Sequence, residues 1–485
     1  MKALEALFFT ILASIVVNSI LRGRKHFWIL KAVVLLGLLS SSYFLVETYF
    51  EVSEKGVVLD ALGLSLIAKT SLNLRVDILG LFMALICIAL GILVTIYSFS
   101  YIDEDANAAL YYILLTAMTM GMIGIFFSAD FITLIIFWEL MSIPSYALVF
   151  FEKHRWESIE AALKYTVMSI FGNAFILLAA SFLYGMTGTL NISEIATGLG
   201  SASNGIWVNL TAILLVTGFG VKASIFPLHT WLPDAHPAAP SPISAFLSGV
   251  MIATGMYTII RVLFTVFAAF IGQWTMFLAL ISVLTMSVGN LMAFNQKDVK
   301  RLLAYSSVAH MGYILSGVST GTLIGLEGAF FHVLNHAFMK ALAFLCVGAY
   351  IFRSGSRNIG ELVGIGRKMP VTTISLSVSL FALMGIPPFS SFLSEVILFQ
   401  SNIATGNSVI AVFLLMNSVL ASIYYARLIL RIIAKESHKR IQNVKEAPKT
   451  MLIPVTVMTV TIVLFTIFSD PITAFIRDGV INIIS

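Results

Sequence analysis

Charge is what this chain of 485 residues has least of: Asp, Glu, Lys and Arg make up 11% of it, against ~25% in an ordinary soluble domain. With 59% hydrophobic residues no water-facing shell can be built, so the solvent is lipid. Cysteine is almost absent too. Cys87 and Cys346 both lie inside apolar runs without a companion at metal-ligand spacing, which leaves a disulfide framework, an iron–sulfur cluster or a zinc site without support. No redox cofactor is therefore expected. Long polar loops are missing as well, so nucleotide chemistry has nowhere to sit. A net charge of +5 would suggest nucleic acid in a soluble protein, but here the basic residues fall in short loops, where they set orientation. No nucleic-acid partner is expected. The run Gly218-Phe-Gly-Val-Lys-Ala loosely mimics a dinucleotide fingerprint, yet no strand precedes it and it lies inside an apolar span.

What the chain has in abundance is apolar runs of about twenty residues, the length that a ~30 Å hydrocarbon core requires of one helix. Barrel strands would be ~10-residue alternating segments, which these runs are not. The fold class is thus all-α and polytopic, with fourteen spans near 3–21, 27–48, 76–98, 108–127, 130–150, 160–186, 206–231, 241–264, 271–294, 301–320, 323–351, 371–401, 407–434 and 451–476. The first has only Lys2 before it and no small-residue cleavage site after it, so it reads as a transmembrane helix and not as a removable signal. Residues 50–75 read as a hairpin outside the membrane plane. The organisation expected is an N-terminal group of helices with that segment (1–107), a first repeat (108–270), a second (271–434) and a C-terminal loop with a last helix (435–485).

Loop charge supports the span count. Basic residues concentrate in the odd loops and their helix ends: Arg22, Arg24 and Lys25 in the first, Lys435, Lys439, Arg440, Lys445 and Lys449 in the last. The even loops, their helix ends and the termini hold only Lys2, Lys55, Lys69, Arg75, Arg261 and Arg477. Since Lys and Arg mark the cytoplasmic side of short loops, a cell-membrane protein with both termini outside is expected.

A charge at the bilayer centre costs roughly 2.5–3.5 kcal/mol, so each one that persists is paired or faces an internal wet path. Lys31 is near a helix end and can snorkel. Lys164 stands four residues after Glu160, where an i,i+4 pair suffices. Glu139 and Lys222 are different, because neither has a local counter-ion. Lys222 stands five residues before Pro227, which should break its helix. Burial disfavours an ammonium and a nearby carboxylate favours it, so movement of Glu139 relative to Lys222 can hold or release a proton. His332, His336 and Lys340 recur every four residues on one helix stripe, ~6 Å apart, a spacing that waters can bridge. Glu395 follows Gly385-Ile-Pro-Pro, a second interruption. Two Gly/Pro-broken helices in corresponding halves point to an inverted repeat with an ion path at the breaks, Pro227 and Pro387 marking them. His229 and His310 are further possible relay members. Other readings are a static buried ion pair, a structural subunit with an incomplete relay, and a carrier of small solutes, which would need a roomy polar site.

At these residues the chain resembles the antiporter-like subunit family shared by complex I (NADH:quinone oxidoreductase), multisubunit cation/proton antiporters and membrane-bound hydrogenase-type complexes. The resemblance rests on Phe137-Trp-Glu-Leu-Met-Ser, on Phe226-Pro-Leu-His-Thr-Trp-Leu-Pro-Asp-Ala-His, on Asp298-Val-Lys-Arg-Leu-Leu-Ala-Tyr-Ser-Ser, on Asn335-His-Ala-Phe-Met-Lys-Ala and on Gly385-Ile-Pro-Pro, in family order over about residues 75 to 400. It implies two inverted five-helix units, proton or sodium translocation, and other membrane subunits as partners, including further antiporter-like and redox subunits. It also implies that Glu139 and Lys222 form a modulating pair, that His332, His336 and Lys340 belong to a polar central axis, and that Glu395 takes the exit position. Ala253 departs from the pattern, since family members commonly carry Lys there. A complex-I-like redox complex such as a membrane-bound hydrogenase is the favoured setting, a multisubunit cation/proton antiporter the alternative.

Overall fold

A computed structural model describes residues 2–20, 27–67, 70–102, 107–200, 205–435 and 438–484. Arg22, Arg24, Lys25 and Lys69 of the loop-charge argument lie outside the described residues. The helices are α1 (Lys2–Ile20), α2 (Phe27–Lys55), α3 (Ile78–Tyr101), α4 (Ala108–Phe126), α5 (Phe131–Val149), α6 (Trp156–Thr187), α7 (Ile192–Gly200), α8 (Gly205–Ala223), α9 (Leu232–Ala238), α10 (Ser241–Phe246), α11 (Ile252–Thr265), α12 (Ile271–Phe294), α13 (Val299–Val318), α14 (Leu323–Ser354), α15 (Pro370–Leu383), α16 (Ser390–Ala404), α17 (Ser408–Ile433), α18 (Lys449–Ile467) and α19 (Ser469–Ile484). Every expected span is found. Twelve are single stretches long and apolar enough to cross a bilayer among the described residues. The other two are α13, which is too rich in Ser, His and Lys to pass on composition, and the α15–α16 pair, divided at Gly385-Ile-Pro-Pro.

The one sheet among the described residues is the hairpin of β1 (Val58–Ile67) and β2 (Thr70–Val76), antiparallel with Val58 opposite Val76. It starts later than the sequence suggests because α2 runs on to Lys55 before Gly56 turns the chain at φ +76°. Its second strand is tied to the turn before α5: the Arg75 N–H donates to Phe127 O at 2.7 Å and the Ala129 N–H to Asn73 O at 3.1 Å.

A repeat runs through the middle of the chain. Asp130 caps α5 by accepting from the Thr133 N–H, and Asp298 caps α13 by accepting from the Lys300 and Arg301 N–H groups, each satisfying donors that a helix start leaves free. The following helices, α6 and α14, are each 32 residues long and each end on a left-handed glycine, Gly188 and Gly355. Beyond them Asp130 bridges Asn191 and Asp298 bridges Asn358. Next comes a broken helix in each unit, α8–α9 and α15–α16. Five spans separate the two Asp caps, an odd number, so the copies are inverted with respect to each other.

The two long elements at the centre, α10–α11 and α14, are buried through their middle, and only the end turns of α14, at Ile324 and Phe352, are exposed. Outer helices such as α6, α12, α17 and α18 present Leu, Ile and Phe outward, as lipid contact requires. Lipid is as apolar as a leucine, so the bundle is held by close packing and polar contacts between helices. A Cβ on Gly289 would strike the backbone of Ala309, and one on Gly312 the backbone of Met286. These reciprocal glycines let α12 and α13 approach backbone to backbone.

Candidate functional site

In the first repeat, α8 stops just after Lys222 because Pro227 has no N–H to continue it and its ring would meet the preceding turn. Ser224 turns the chain at φ +53°, the peptide before Pro227 is cis, and α9 resumes at Leu232. Side chains close the break: Trp231 Nε1 donates to Val221 O at 2.7 Å, and the Phe226 N–H donates to Thr285 Oγ1 of α12 at 3.1 Å. The Lys222 ammonium is buried. It donates to the Tyr165 hydroxyl at 2.8 Å and the Tyr146 hydroxyl at 3.4 Å, and it lies 4.4 and 4.5 Å from the centres of those rings. Two ring faces and two hydroxyls thus hold the cation where a carboxylate was expected.

Glu139 is elsewhere. Its Oε1 accepts from Asn173 Nδ2 at 2.5 Å, and Asn173 Oδ1 in turn accepts from Trp138 Nε1 at 3.0 Å. No ion pair joins Glu139 to Lys222 among the described residues, although each side chain feels the charge of the other. The carboxylate is only half-buried. It shares its face of α5 with Ile136 and Ile143, 43% and 60% exposed, so it looks toward the lateral surface of the chain.

The second repeat holds the denser cluster. His310 of α13 and His332 of α14 face each other with Nδ1 and Nε2 3.0 Å apart, and the other nitrogen of His332 is 3.0 Å from Ser394 Oγ on α16. Ser394 precedes Glu395, which is buried under Gly385. The Ser418 hydroxyl donates to Glu395 Oε2 at 2.9 Å, and Oε1 has no partner. The stripe on α14 is therefore not a ladder in itself. His332 and His336 both turn to His310, whose ring centre lies 5.2 Å from one and 5.5 Å from the other, and both nitrogens of His336 are unpartnered. Lys340 donates to Ser306 Oγ, to Tyr425 Oη at 3.0 Å and to Leu303 O at 3.4 Å. Beyond Tyr425 the Tyr424 hydroxyl donates to Asn290 Oδ1 at 2.9 Å, and Asn290 Nδ2 donates to Tyr313 Oη and Asn417 Oδ1, both at 3.0 Å.

Between the two clusters runs the α10–α11 element. Residues Leu247–Met251 form a wider π turn in it, a device that shifts side-chain directions and recurs at functional sites. Met251 Sδ accepts from Tyr165 Oη at 3.2 Å on the Lys222 side, while Ser248 Oγ is 2.7 Å from Ser307 Oγ on the Lys340 side. Ala253 is buried one half-turn further on and contributes no polar atom.

The three lesser candidates fall in different places. His310 is the centre of the imidazole cluster. His229 is buried beside the Phe226 ring at 5.8 Å with Nδ1 unpartnered, apart from both clusters. Lys164 sits outside the axis on the rim of a cavity of about 500 Å³, paired with Glu160 at 2.8 Å as its spacing suggested and with Asp234 at 3.0 Å. Sequence reasoning passed over His236, a buried imidazole stacked on Phe344 at 4.7 Å, which feels the charges of Lys300 and Lys340. It also passed over Tyr146, Tyr165, Asn173, Ser306, Ser394 and Tyr425. His236 ends the quoted Trp-Leu-Pro-Asp-Ala-His motif, and Ser306 lies four residues before His310, so a stripe search on α13 finds Ser306.

A polytopic bundle with two inverted units, a broken helix in each and a buried row of amines and imidazoles between them defines an antiporter-like membrane subunit. The comparisons agree. The model for the NADH:quinone oxidoreductase/Mrp antiporter transmembrane region matches residues 128–421, and that for the complex I chain 5 N-terminus matches residues 67–112; the chain belongs to this family. It is 36% identical to F(420)H(2) dehydrogenase subunit N of Methanosarcina mazei over 74% of each chain. It is 32% identical to NADH-quinone oxidoreductase subunit N of Trichlorobacter lovleyi over 82% of this chain and 85% of that one. Among solved structures it matches a chain of the membrane-bound sulfane sulfur reductase, an archaeal respiratory membrane complex, at TM-score 0.89 and 26% identity, over 100% of this chain and 97% of the other.

Proposed function

We propose that this chain translocates protons, or sodium ions, across the cell membrane as the antiporter-like subunit of a complex-I-like redox complex. The observation that carries the reading is the run from His310 through His332 and Ser394 to the side of Glu395, with contacts of 3.0 Å at both nitrogens of His332. A neutral imidazole that takes a proton on one nitrogen and gives one up from the other moves charge without moving itself. In this reading Lys222 loads a proton, Glu139 sets its affinity through the field across Tyr146, and the charge passes the π turn by water to Lys340 and the histidines. It leaves beside Glu395, where the unpartnered oxygen accepts it.

Both termini and the even loops face outside in this reading, and the 435–449 loop faces the cytoplasm. Corresponding loops of the two repeats support this: residues 188–204 contain no Lys or Arg, while residues 355–369 contain Arg357, Arg367 and Lys368. The names of the relatives favour a redox complex over a pure cation/proton antiporter. Affinity purification of the tagged chain from native membranes tests this. Redox subunits in the same particle are expected, and a particle holding only antiporter subunits would move the chain to the other branch of its family. In reconstituted vesicles, generation of a pH gradient that persists without sodium identifies the proton as the ion.

A further inference from the structure

One cavity lies outside the polar axis and differs from it in kind. It measures about 420 Å³ and sits between the end of α12, the last turns of α17 and the loop around Asn358, lined among others by Gln296, Lys297, Tyr424, Arg427 and Arg431. No acidic side chain lines it. Lys297, Arg427 and Arg431 form no ion pair among the described residues, and the nearest acids in sequence are engaged elsewhere: Asp298 with Arg357 at 3.2 Å and Glu361 with Arg440. Arg427 and Arg431 stand four apart on one helix, an arrangement of like charges that repels unless an anion joins it. Position at a helix end accounts for Arg431, which meets the negative end of α17, but not for three cations converging on one hollow.

The outer side of the hollow is apolar. On α17 Ile423 and Leu430 flank Arg427 at i−4 and i+3 and are 51% and 66% exposed, and on α12 Leu291 and Met292 are exposed likewise. A basic hollow continued by an apolar strip along two membrane helices matches a ligand with an anionic phosphate at one end and hydrocarbon at the other. We propose that this cavity binds an anionic phospholipid, its headgroup phosphate held by Lys297, Arg427 and Arg431 and its acyl chains laid along α12 and α17. Basic pockets between membrane helices are where such headgroups collect. The cavity touches the polar network through Tyr424, which lines it and donates to Asn290.

The test uses the intact complex, washed in mixed micelles of phosphatidylglycerol and phosphatidylcholine, with retained lipid counted by mass spectrometry. At about fivefold per basic group, the double variant Arg427→Gln/Arg431→Gln should lower the preference for phosphatidylglycerol at one site per chain by roughly twenty-fivefold. Arg427→Lys/Arg431→Lys should keep most of it, which separates loss of charge from misfolding. Millimolar inorganic phosphate should leave it unchanged. Equal retention by wild type and the Gln variant overturns the proposal. So does full displacement by inorganic phosphate, which makes this a free-anion site. Loss of another subunit from the Gln variant with lipid retention intact also overturns it, since the cations would then serve an acidic protein partner.

Discussion

Tyr165→Phe removes one oxygen from the protein and nothing else. The ring stays stacked on Trp231 at 4.0 Å and stays under the Lys222 ammonium, and Ser145 keeps its bond to Ser142 O when its contact with the hydroxyl goes. What is lost is the 2.8 Å hydrogen bond that Lys222 donates and the step from Tyr165 to Met251 at the π turn. A hydrogen bond to a charged group contributes about 1.5–3 kcal/mol. If that energy selects the charged amine while the proton waits, its loss slows loading by about ten- to a hundredfold, at about 1.4 kcal/mol per factor of ten. The assay is acidification or alkalinisation of vesicles carrying the whole complex, driven by its redox reaction and read with a trapped dye, with electron transfer followed in parallel. The expected result is slowed ion movement with the complex assembled. An unchanged rate in assembled Tyr165→Phe complex would refute the reasoning, because Lys222 would then not depend on the group that holds it most closely.

Glu139→Gln and Lys222→Ala should each abolish most ion transport while leaving assembly intact on native gels, since the first removes the charge whose field tunes the amine and the second removes the amine itself; near wild-type transport in either would remove it from the mechanism. His336→Ala should slow translocation in reconstituted vesicles, and a rate unchanged by it would leave a structural subunit as the better description. Ala253→Lys places an amine in the gap between the clusters and should leave transport unchanged or speed it, whereas appearance of transport that the natural protein lacks would mean that its path is discontinuous. A cysteine at Lys439 should react with membrane-impermeant reagent only from the cytoplasmic side, and labelling from outside alone would invert the topology.

The spans were legible because twenty apolar residues in a row have one stable use, and the breaks because Pro227 and Pro387 disfavour an unbroken helix, although Pro144 and Pro454 are carried inside theirs. Charged members of the axis were legible for the opposite reason, since Lys222 and Glu395 violate the composition around them. Neutral members left no such mark. Tyr165, Ser306 and Ser394 are ordinary residues of a membrane helix, and only the folding of α6, α13 and α16 onto their neighbours makes them partners of a lysine or a histidine. The expected contact of Glu139 with Lys222 fell to the same limit, because spacing along the chain cannot tell that Asn173 of α6 takes the carboxylate first. The π turn at Leu247–Met251 has no proline or glycine pattern distinct from a helix, so its offset of Ser248 and Met251 was invisible.

The paired caps at Asp130 and Asp298 bear on how such a chain arose. A segment with an odd number of spans, when its gene is copied in tandem, must enter the bilayer upside down. Interior packing survives the inversion, so the caps, the 32-residue helices and their terminal glycines persist in both copies. Loops do not survive it, because the insertion machinery sorts them by positive charge. Residues 188–204 and 355–369 began as one sequence under this account and were driven apart by the compartments they face, one kept free of Lys and Arg and the other filled with them. Grafting Arg357, Arg367 and Lys368 onto the first loop would set the biosynthetic signals of the two halves against each other, and the expected casualty is insertion during synthesis and not the chemistry of the finished axis.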